Sequence, residues 1–306
     1  VGSTVTITGS NFSTVTTDNI VWFGSVKATV LTATATKITV TVPPGAGYAA
    51  VSVTKNELTS KYHLPFQTTF SSGVTFNNTH FAAPIEFTLA GADYDLDIGD
   101  LDNDGKPDIV AEDGTAATTR FINTHTSTSI TTASLTDNGV SAGIRFPRLQ
   151  DLDGDGKLDL VGVNTLSKNS STIGNISFLA NIPLSGVDGF GIADFGDVNR
   201  DGKTDVFVVE QSLAANIVEN QSANLVGNFT TGTFASFKRS FITRPTSRGS
   251  LVVADFDNDG YADMVTTNFT LDNISIYKNA KRFRANDTSF GASVELSVGD
   301  NPQRIY

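Results

Sequence analysis

The 306-residue chain contains no cysteine. That excludes a disulfide framework, a thiol nucleophile and cysteine-ligated zinc, and it leaves the redox compartment open. Charge is scarce as well: Asp, Glu, Lys and Arg make up 17% of the residues, and 32 acids outnumber 21 bases for a net charge of −11. Such a balance repels a nucleic-acid backbone, and no basic patch overrules it, so no nucleic-acid partner is expected. No run approaches the roughly 18 to 20 apolar residues of a membrane span, so no membrane insertion is expected of this segment. Val1-Gly2-Ser3-Thr4 has neither the basic nor the apolar region of a signal peptide, which any precursor would already have lost. Helical periodicity is missing throughout.

Catalytic patterns are sparse too. His63, His80 and His125 stand apart in loop-like contexts without H-x-x-x-H spacing, and no G-x-S-x-G occurs. Gly45-Ala46-Gly47-Tyr48-Ala49-Ala50 fits a loose dinucleotide pattern but opens a strand rather than a helix, so it reads as a turn. The expectation is a protein that is not an enzyme.

What is present is β texture. Short alternating runs rich in Val, Ile, Thr and Phe recur from end to end, broken by Gly, Asn, Asp and Ser. Hydrophobic residues are 39% of the chain, enough to bury a core, and the length suits two domains. Val5-Thr6-Ile7-Thr8, Ile20-Val21-Trp22-Phe23, Ile38-Thr39-Val40-Thr41-Val42 and Val51-Ser52-Val53 are spaced like sandwich strands, with Pro43-Pro44-Gly45 closing the third. Trp22 is expected to fill the sandwich core.

From about Thr68 the texture changes to Asp-rich knots. The string D-x-D-x-D-G-x-x-D starts at Asp100, Asp151, Asp197 and Asp255, so its copies lie 46 to 58 residues apart. That is the span of a four-stranded propeller blade. Each knot follows a short apolar strand (Leu96 and Ile98; Leu149; Ala193 and Phe195; Leu251 and Val253) and precedes another (Ile109-Val110, Leu160-Val161, Val206-Phe207-Val208, Met264-Val265). A later strand ends each time in Asn, at Asn123, Asn181, Asn220 and Asn279, and segments such as Thr233-Phe234-Ala235-Ser236-Phe237 supply a fourth.

Carboxylates at knot positions 1, 3 and 5 turn inward together if the loop curls, and the point they enclose favours a cation. Gly105, Gly156, Gly202 and Gly260 at position 6 permit a sharp reversal, after which the carbonyl of position 7 can face the centre and Asp at position 9 closes the shell. The expected ligands are Asp100, Asp102, Asp104, Lys106 and Asp108 in the first knot, and Asp151, Asp153, Asp155, Lys157 and Asp159 in the second. Asp197, Asn199, Asp201, Lys203 and Asp205 serve the third, and Asp255, Asp257, Asp259, Tyr261 and Asp263 the fourth, each lysine and Tyr261 acting through its backbone carbonyl. Five protein groups plus water make six or seven oxygens, which suits calcium better than magnesium. About four Ca2+ are expected, one per knot. An EF-hand is excluded, because position 12 is Ala111, Gly162, Val208 or Thr266 and the flanks are strands. Fifteen of the 32 acids occupy ligand positions, leaving 17 acids against 21 bases elsewhere.

Asp-Leu-Asp-Asn-Asp-Gly-Lys-Pro-Asp-Ile-Val, Asp-Leu-Asp-Gly-Asp-Gly-Lys-Leu-Asp-Leu-Val and their two sisters resemble the FG-GAP/VCBS repeats of integrin-like β-propellers over residues 68–306. The literal Phe-Gly…Gly-Ala-Pro string is absent, which places the chain nearer the bacterial VCBS-type branch. The resemblance implies calcium in a β-hairpin loop of each blade and seven blades in a full ring, of which 68–306 would hold about four to five. The first 67 residues resemble an IPT/TIG immunoglobulin-like domain through Gly2-Ser3-Thr4-Val5-Thr6-Ile7-Thr8-Gly9-Ser10-Asn11-Phe12, Val21-Trp22-Phe23-Gly24 and Val42-Pro43-Pro44-Gly45-Ala46-Gly47. The fold expected is therefore all-β, an N-terminal Ig-like β-sandwich (1–67) followed by a β-propeller (68–306). Further blades are expected beyond a strand-like Pro302-Gln303-Arg304-Ile305-Tyr306.

Together these readings describe a calcium-binding adhesion or interaction module, extracellular or on the surface of a bacterial cell, that presents a protein or glycan binding surface. The alternative is a carbohydrate-binding accessory region of a larger secreted hydrolase. The sequons at Asn77, Asn169, Asn228, Asn268 and Asn286 are of a number that chance supplies in such a chain, and Lys281-Arg282-Phe283-Arg284 reads as a solvated loop.

Overall fold

The computed structural model describes residues 2–47, 49–56, 58–67, 83–87, 89, 91, 95–112, 117–125, 135–162, 164–184, 192–209, 215–221, 234–237, 250–281, 290–303 and 305. His80, Thr233 and most of the 281–284 basic cluster fall outside them. Among the described residues the fold is all-β, with one 3-10 turn at Thr16–Asp18 and no helix long and apolar enough to cross a membrane.

The first seven strands are β1 (Thr4–Thr8), β2 (Ile20–Phe23), β3 (Val26–Ala28), β4 (Val30–Ala33), β5 (Lys37–Thr41), β6 (Ala49–Lys55) and β7 (Leu58–Phe66). They form two facing sheets, ordered β1-β5-β4 and β3-β2-β6-β7, with Val21, Phe23, Ile38, Val40 and Val53 in the core between them. His63 lies in β7, not in a loop. Four antiparallel meanders follow. The first is β8 (Leu96–Gly99), β9 (Asp108–Glu112), β10 (Ala117–Asn123) and β11 (Leu135–Ala142); the second is β12 (Arg148–Gln150), β13 (Asp159–Val161), β14 (Thr165–Ser167) and β15 (Ile182–Pro183). The third is β16 (Ile192–Gly196), β17 (Asp205–Val209), β18 (Ala215–Asn220) and β19 (Phe234–Phe237); the fourth is β20 (Leu251–Ala254), β21 (Asp263–Asn268), β22 (Asn273–Tyr277) and β23 (Val294–Ser297). Each is a blade unit, and its knot joins the first strand to the second. Residues 302, 303 and 305 lie in no strand, contrary to the extended ending expected there.

The blades pack face to face, so the cores lie between consecutive blades. Leu152, Val161 and Leu166 of the second meet Val206, Val208 and Val218 of the third, while Phe207 and Ile217 of the third meet Met264 and Tyr277 of the fourth. Position 2 of the first three knots points into the next interface: Leu101, Leu152 and Val198 are 0%, 4% and 4% exposed. Phe256, the same position in the fourth knot, is 50% exposed. The innermost strands are also pinned to one another. Asp97 on β8 accepts from the Leu149 amide (2.8 Å) and Asp194 on β16 from the Val253 amide (2.7 Å), both three residues before their knots. Burial raises the pKa of both carboxyls.

Trp22 corrects the sequence reading. Strand alternation turns Val21 and Phe23 into the sandwich and Trp22 out of its other face. There it is 3% exposed, among Leu101, Val110, Ile122, Ile144, Leu158 and Leu160 of the first two blades. The sandwich and the blades therefore share an apolar contact, and hydrogen bonds surround it. Asp100 N donates to Ser25 O (3.1 Å), Lys27 Nζ to Gly156 O (3.1 Å) and Thr59 N to Gly202 O (2.6 Å), which puts three successive knots against one sheet of the sandwich.

Because Trp22 fills an inter-domain core, W22A is expected to cost about 3–5 kcal/mol, the usual range for a large aromatic cut to Ala. Denaturant unfolding followed on the blades measures it. A loss confined to the sandwich, with the blade transition unmoved, would refute the shared core.

Candidate metal centres

Each knot is a fixed lattice of short-range hydrogen bonds. The position 1 carboxylate accepts from the position 6 glycine amide, at 3.0 Å in the first two knots and 2.8 Å in the last two. Position 3 accepts from the amide of position 5, and position 5 from that of position 7, at 2.9 to 3.2 Å throughout. The glycines at position 6 have φ of 82° to 87°, as expected. Position 4 is left-handed as well, at Asn103, Gly154, Arg200 and Asn258 (φ 58° to 70°). That second reversal is visible in the sequence as Asn or Gly at three of the four places.

The position 9 carboxylates, Asp108, Asp159, Asp205 and Asp263, are buried and bridge two elements. One oxygen accepts from the position 2 amide of the knot (2.8 to 3.0 Å) and the other from the backbone amide of an asparagine at the end of the third strand or two residues past it (2.7 to 2.9 Å). Those asparagines are Asn123, Asn169, Asn220 and Asn279. The side chains of the last three also donate to the position 2 carbonyl of the preceding knot, Leu101, Leu152 and Val198, at 2.9 to 3.0 Å. Asn181 is thus not the second blade's landmark. Its third strand is short, and the anchor falls at Asn169, whose signal is a charged residue just before it: Lys168-Asn169, Glu219-Asn220 and Lys278-Asn279, against Ala180-Asn181. The Asn169 amide also donates to Leu158 O, so this sequon is committed to the fold.

The structure gathers acidic trios in three knots: Asp100, Asp102 and Asp108; Asp151, Asp153 and Asp159; and Asp255, Asp257 and Asp259. In each, one oxygen per residue lies within 4.8 Å of the others, which is the spread of oxygens around a single calcium at 2.3–2.6 Å. In the first, Asp100 Oδ1 is buried with no hydrogen-bond partner, an acceptor that a cation would satisfy. The third knot forms no such trio among the described residues; Asn199 holds position 3, and its amide donates to Glu219 Oε1 (2.7 Å). Ammonium groups also approach the knots: Lys106 reaches Asp104 (2.5 Å), Lys168 reaches Asp153 and Asp155, and Lys278 reaches Asp257 and Asp259. Lys168, Lys278 and Glu219 went unnoticed in the sequence, because nothing in a nine-residue motif marks a side chain arriving from another strand.

Crowded, buried carboxyls hold their protons. Burial, with the like charges of neighbouring acids, pushes Asp100 up to about 6 and Asp108 and Asp151 up to about 7, and it raises Asp159 and Asp205 well above the usual carboxylate value. A cation among them favours the ionised forms. Between the sandwich and the first two knots lies a cleft of about 600 Å³, lined among others by Thr16, Asn19, Lys27, Asp100, Asp104 and Asp155. Its walls are mixed: hydroxyls, amides, carboxylates and the Lys27 ammonium stand beside the apolar side chains of Ile20, Ala28 and Val30. His125, the one histidine whose side chain is described, bonds Asn123 Oδ1 through Nδ1 (2.6 Å), a local structural contact.

No curated protein matches the chain. An auxiliary nutrient binding protein of Bacteroides ovatus is similar over 99% of this chain and 88% of its own, at 11% identity and a TM-score of 0.36. One from Bacteroides thetaiotaomicron covers 90% and 80%, at 10% identity and a TM-score of 0.32. Likeness at that level carries nothing about function. The family matches are specific: the chain carries an IPT/TIG domain over residues 1–76 and an FG-GAP-like repeat over residues 151–208.

Proposed function

We propose that this chain is a non-enzymatic calcium-binding interaction module of the cell surface or the secreted space. An Ig-like domain (1–67) and a propeller segment (68–306) together present a surface to a protein or glycan partner. The observation that carries the reading is the acidic trio of the first knot, with a buried, unpartnered Asp100 Oδ1 in a loop whose hydrogen bonds already hold the other carboxylates in place. Calcium held there would neutralise the mutual repulsion of Asp100, Asp102, Asp104 and Asp108, with the Lys106 carbonyl as the neutral ligand, and would tie β8 to β9. Loops of this type suit extracellular modules, whose millimolar calcium fills weak sites. The acids are committed to structure. Both oxygens of every position 9 carboxylate take backbone amides, which supports a role in rigidity over one in acid–base chemistry.

A second reading, a carbohydrate-binding accessory region of a larger secreted hydrolase, draws on the cleft between the sandwich and the first two knots, since hydroxyls and carboxylates beside apolar side chains suit the polar edges and apolar faces of a sugar. A glycan array probed with the calcium-loaded chain separates the two. Specific sugar binding that T16A and T17A abolish favours the accessory role, and binding to protein alone favours adhesion.

Calorimetry in millimolar calcium is expected to give a melting temperature several degrees above that in chelator, because an ion that binds only the folded chain stabilises it by mass action. Identical temperatures would sink the calcium reading. The pH dependence has a definite sign. Asp100, Asp108 and Asp151 keep protons in the folded chain up to about pH 6–7, whereas the unfolded chain loses them near pH 4. Their contribution to the chelated protein is complete below about pH 4 and disappears as pH climbs to about 7. The chelated protein is therefore expected to melt higher at pH 5 than at pH 7.5, with calcium raising the melt more at pH 7.5. Chelated protein that is more stable at pH 7.5 would contradict the buried-carboxyl account.

A further inference from the structure

The residue just before the anchoring asparagine occupies one place in every repeat, filled by Ile122, Lys168, Glu219 and Lys278. In three repeats its side chain reaches position 3 of its own knot. Lys168 Nζ lies against the carboxylates of Asp153 and Asp155, the latter at 2.6 Å. Lys278 Nζ meets Asp257 and lies 3.3 Å from Asp259 Oδ2, and Glu219 accepts from Asn199. The charges are reciprocal: lysine faces aspartate, and glutamate faces the one asparagine. Ile122 carries no polar atom, and its knot is the one with the unpartnered Asp100 oxygen.

The two lysines are held differently. The side chain of Lys278 is 60% exposed and has a path into water; that of Lys168 is 9% exposed, between buried Ser167 and buried Asn169, both hydrogen-bonded. The Lys168 ammonium is held by two carboxylates at once, those of Asp153 and Asp155. A divalent ion entering this knot would have to displace a buried ammonium from both carboxylates.

Resting on the calcium reading of the knots, we propose that Lys168 is the resident cation of the second knot, its ammonium standing where a divalent ion stands in the first. The second pocket is then closed to calcium while the first is open, and the repeats divide into ion-dependent and self-neutralised knots. The fourth remains loadable, because Lys278 and Lys281, which both reach its carboxylates, have exposed side chains that can swing into solvent. The third regains through Glu219 the carboxylate that Asn199 lacks.

Isothermal titration of the full chain with calcium chloride tests this. D100N is expected to lose one bound calcium per chain, D151N to lose none, and K168M to gain one. If D151N loses a calcium as D100N does, or if a folded K168M gains none, the resident-cation assignment is wrong while the calcium reading stands. If neither the parent chain nor K168M takes up calcium, the calcium reading fails and this assignment with it.

Discussion

The arrangement depends on one buried carboxylate per blade. Asp108, Asp159, Asp205 and Asp263 each span the gap between the loop that turns the chain and the asparagine that anchors the sheet, accepting one backbone amide from either side. Hydrogen bonds to a charged group are worth about 1.5–3 kcal/mol each, and an unpaired partner costs as much again. Desolvation works the other way. It lifts Asp108 to about 7 and the fully buried Asp159 and Asp205 well beyond the usual range, so in the absence of a compensating cation the same residues that organise the blade also strain it. The need for positive charge is thus a consequence of the burial the fold imposes on its own bridging carboxylates.

The same bridge carries order from blade to blade. Once position 9 fixes position 2, the position 2 side chain is aimed into the next interface and its carbonyl is presented to the next asparagine. Asn169, Asn220 and Asn279 each take that carbonyl from the preceding knot. Apolar packing and hydrogen bonding therefore repeat at one place, and a disturbed knot loosens two blades. Leu101, Leu152 and Val198 are buried by this geometry, and Phe256 shows how exposed the position is where no described blade covers it.

Most of this was legible because it is local and repeated. Four knots in phase, strands on either side and a conformational need for glycine at position 6 all follow from residues within nine positions of one another. Trp22 was misplaced although the rule that places it is equally local: Val21 and Phe23 point into the sandwich, so the residue between them points out. Asn181 reads as the landmark from sequence alone, whereas the second blade's third strand is only three residues long and brings the anchor twelve positions toward the N-terminus, to Asn169. Lys168, Glu219 and Lys278 are a different kind of omission. Their meaning depends on the register between the third strand and the knot, which pairing sets and no motif of the knot records.

That register also explains why the knots differ although their sequences hardly do. The nine residues supply nearly the same carboxylates four times, yet what each pocket contains depends on a tenth residue from elsewhere in the blade and, for three of them, on the sandwich. Ser25, Lys27 and Thr59 reach the first, second and third knots in turn, and a Cβ at Gly202 would collide with Leu58. Glycine at position 6 is thus held by two constraints there, the left-handed backbone and the contact with the neighbouring domain. Because loop geometry and inter-domain contact involve the same atoms, whatever neutralises and stiffens a knot also stiffens the joint between sandwich and blades. Charge balance inside a nine-residue loop thereby acts on the orientation of a whole domain.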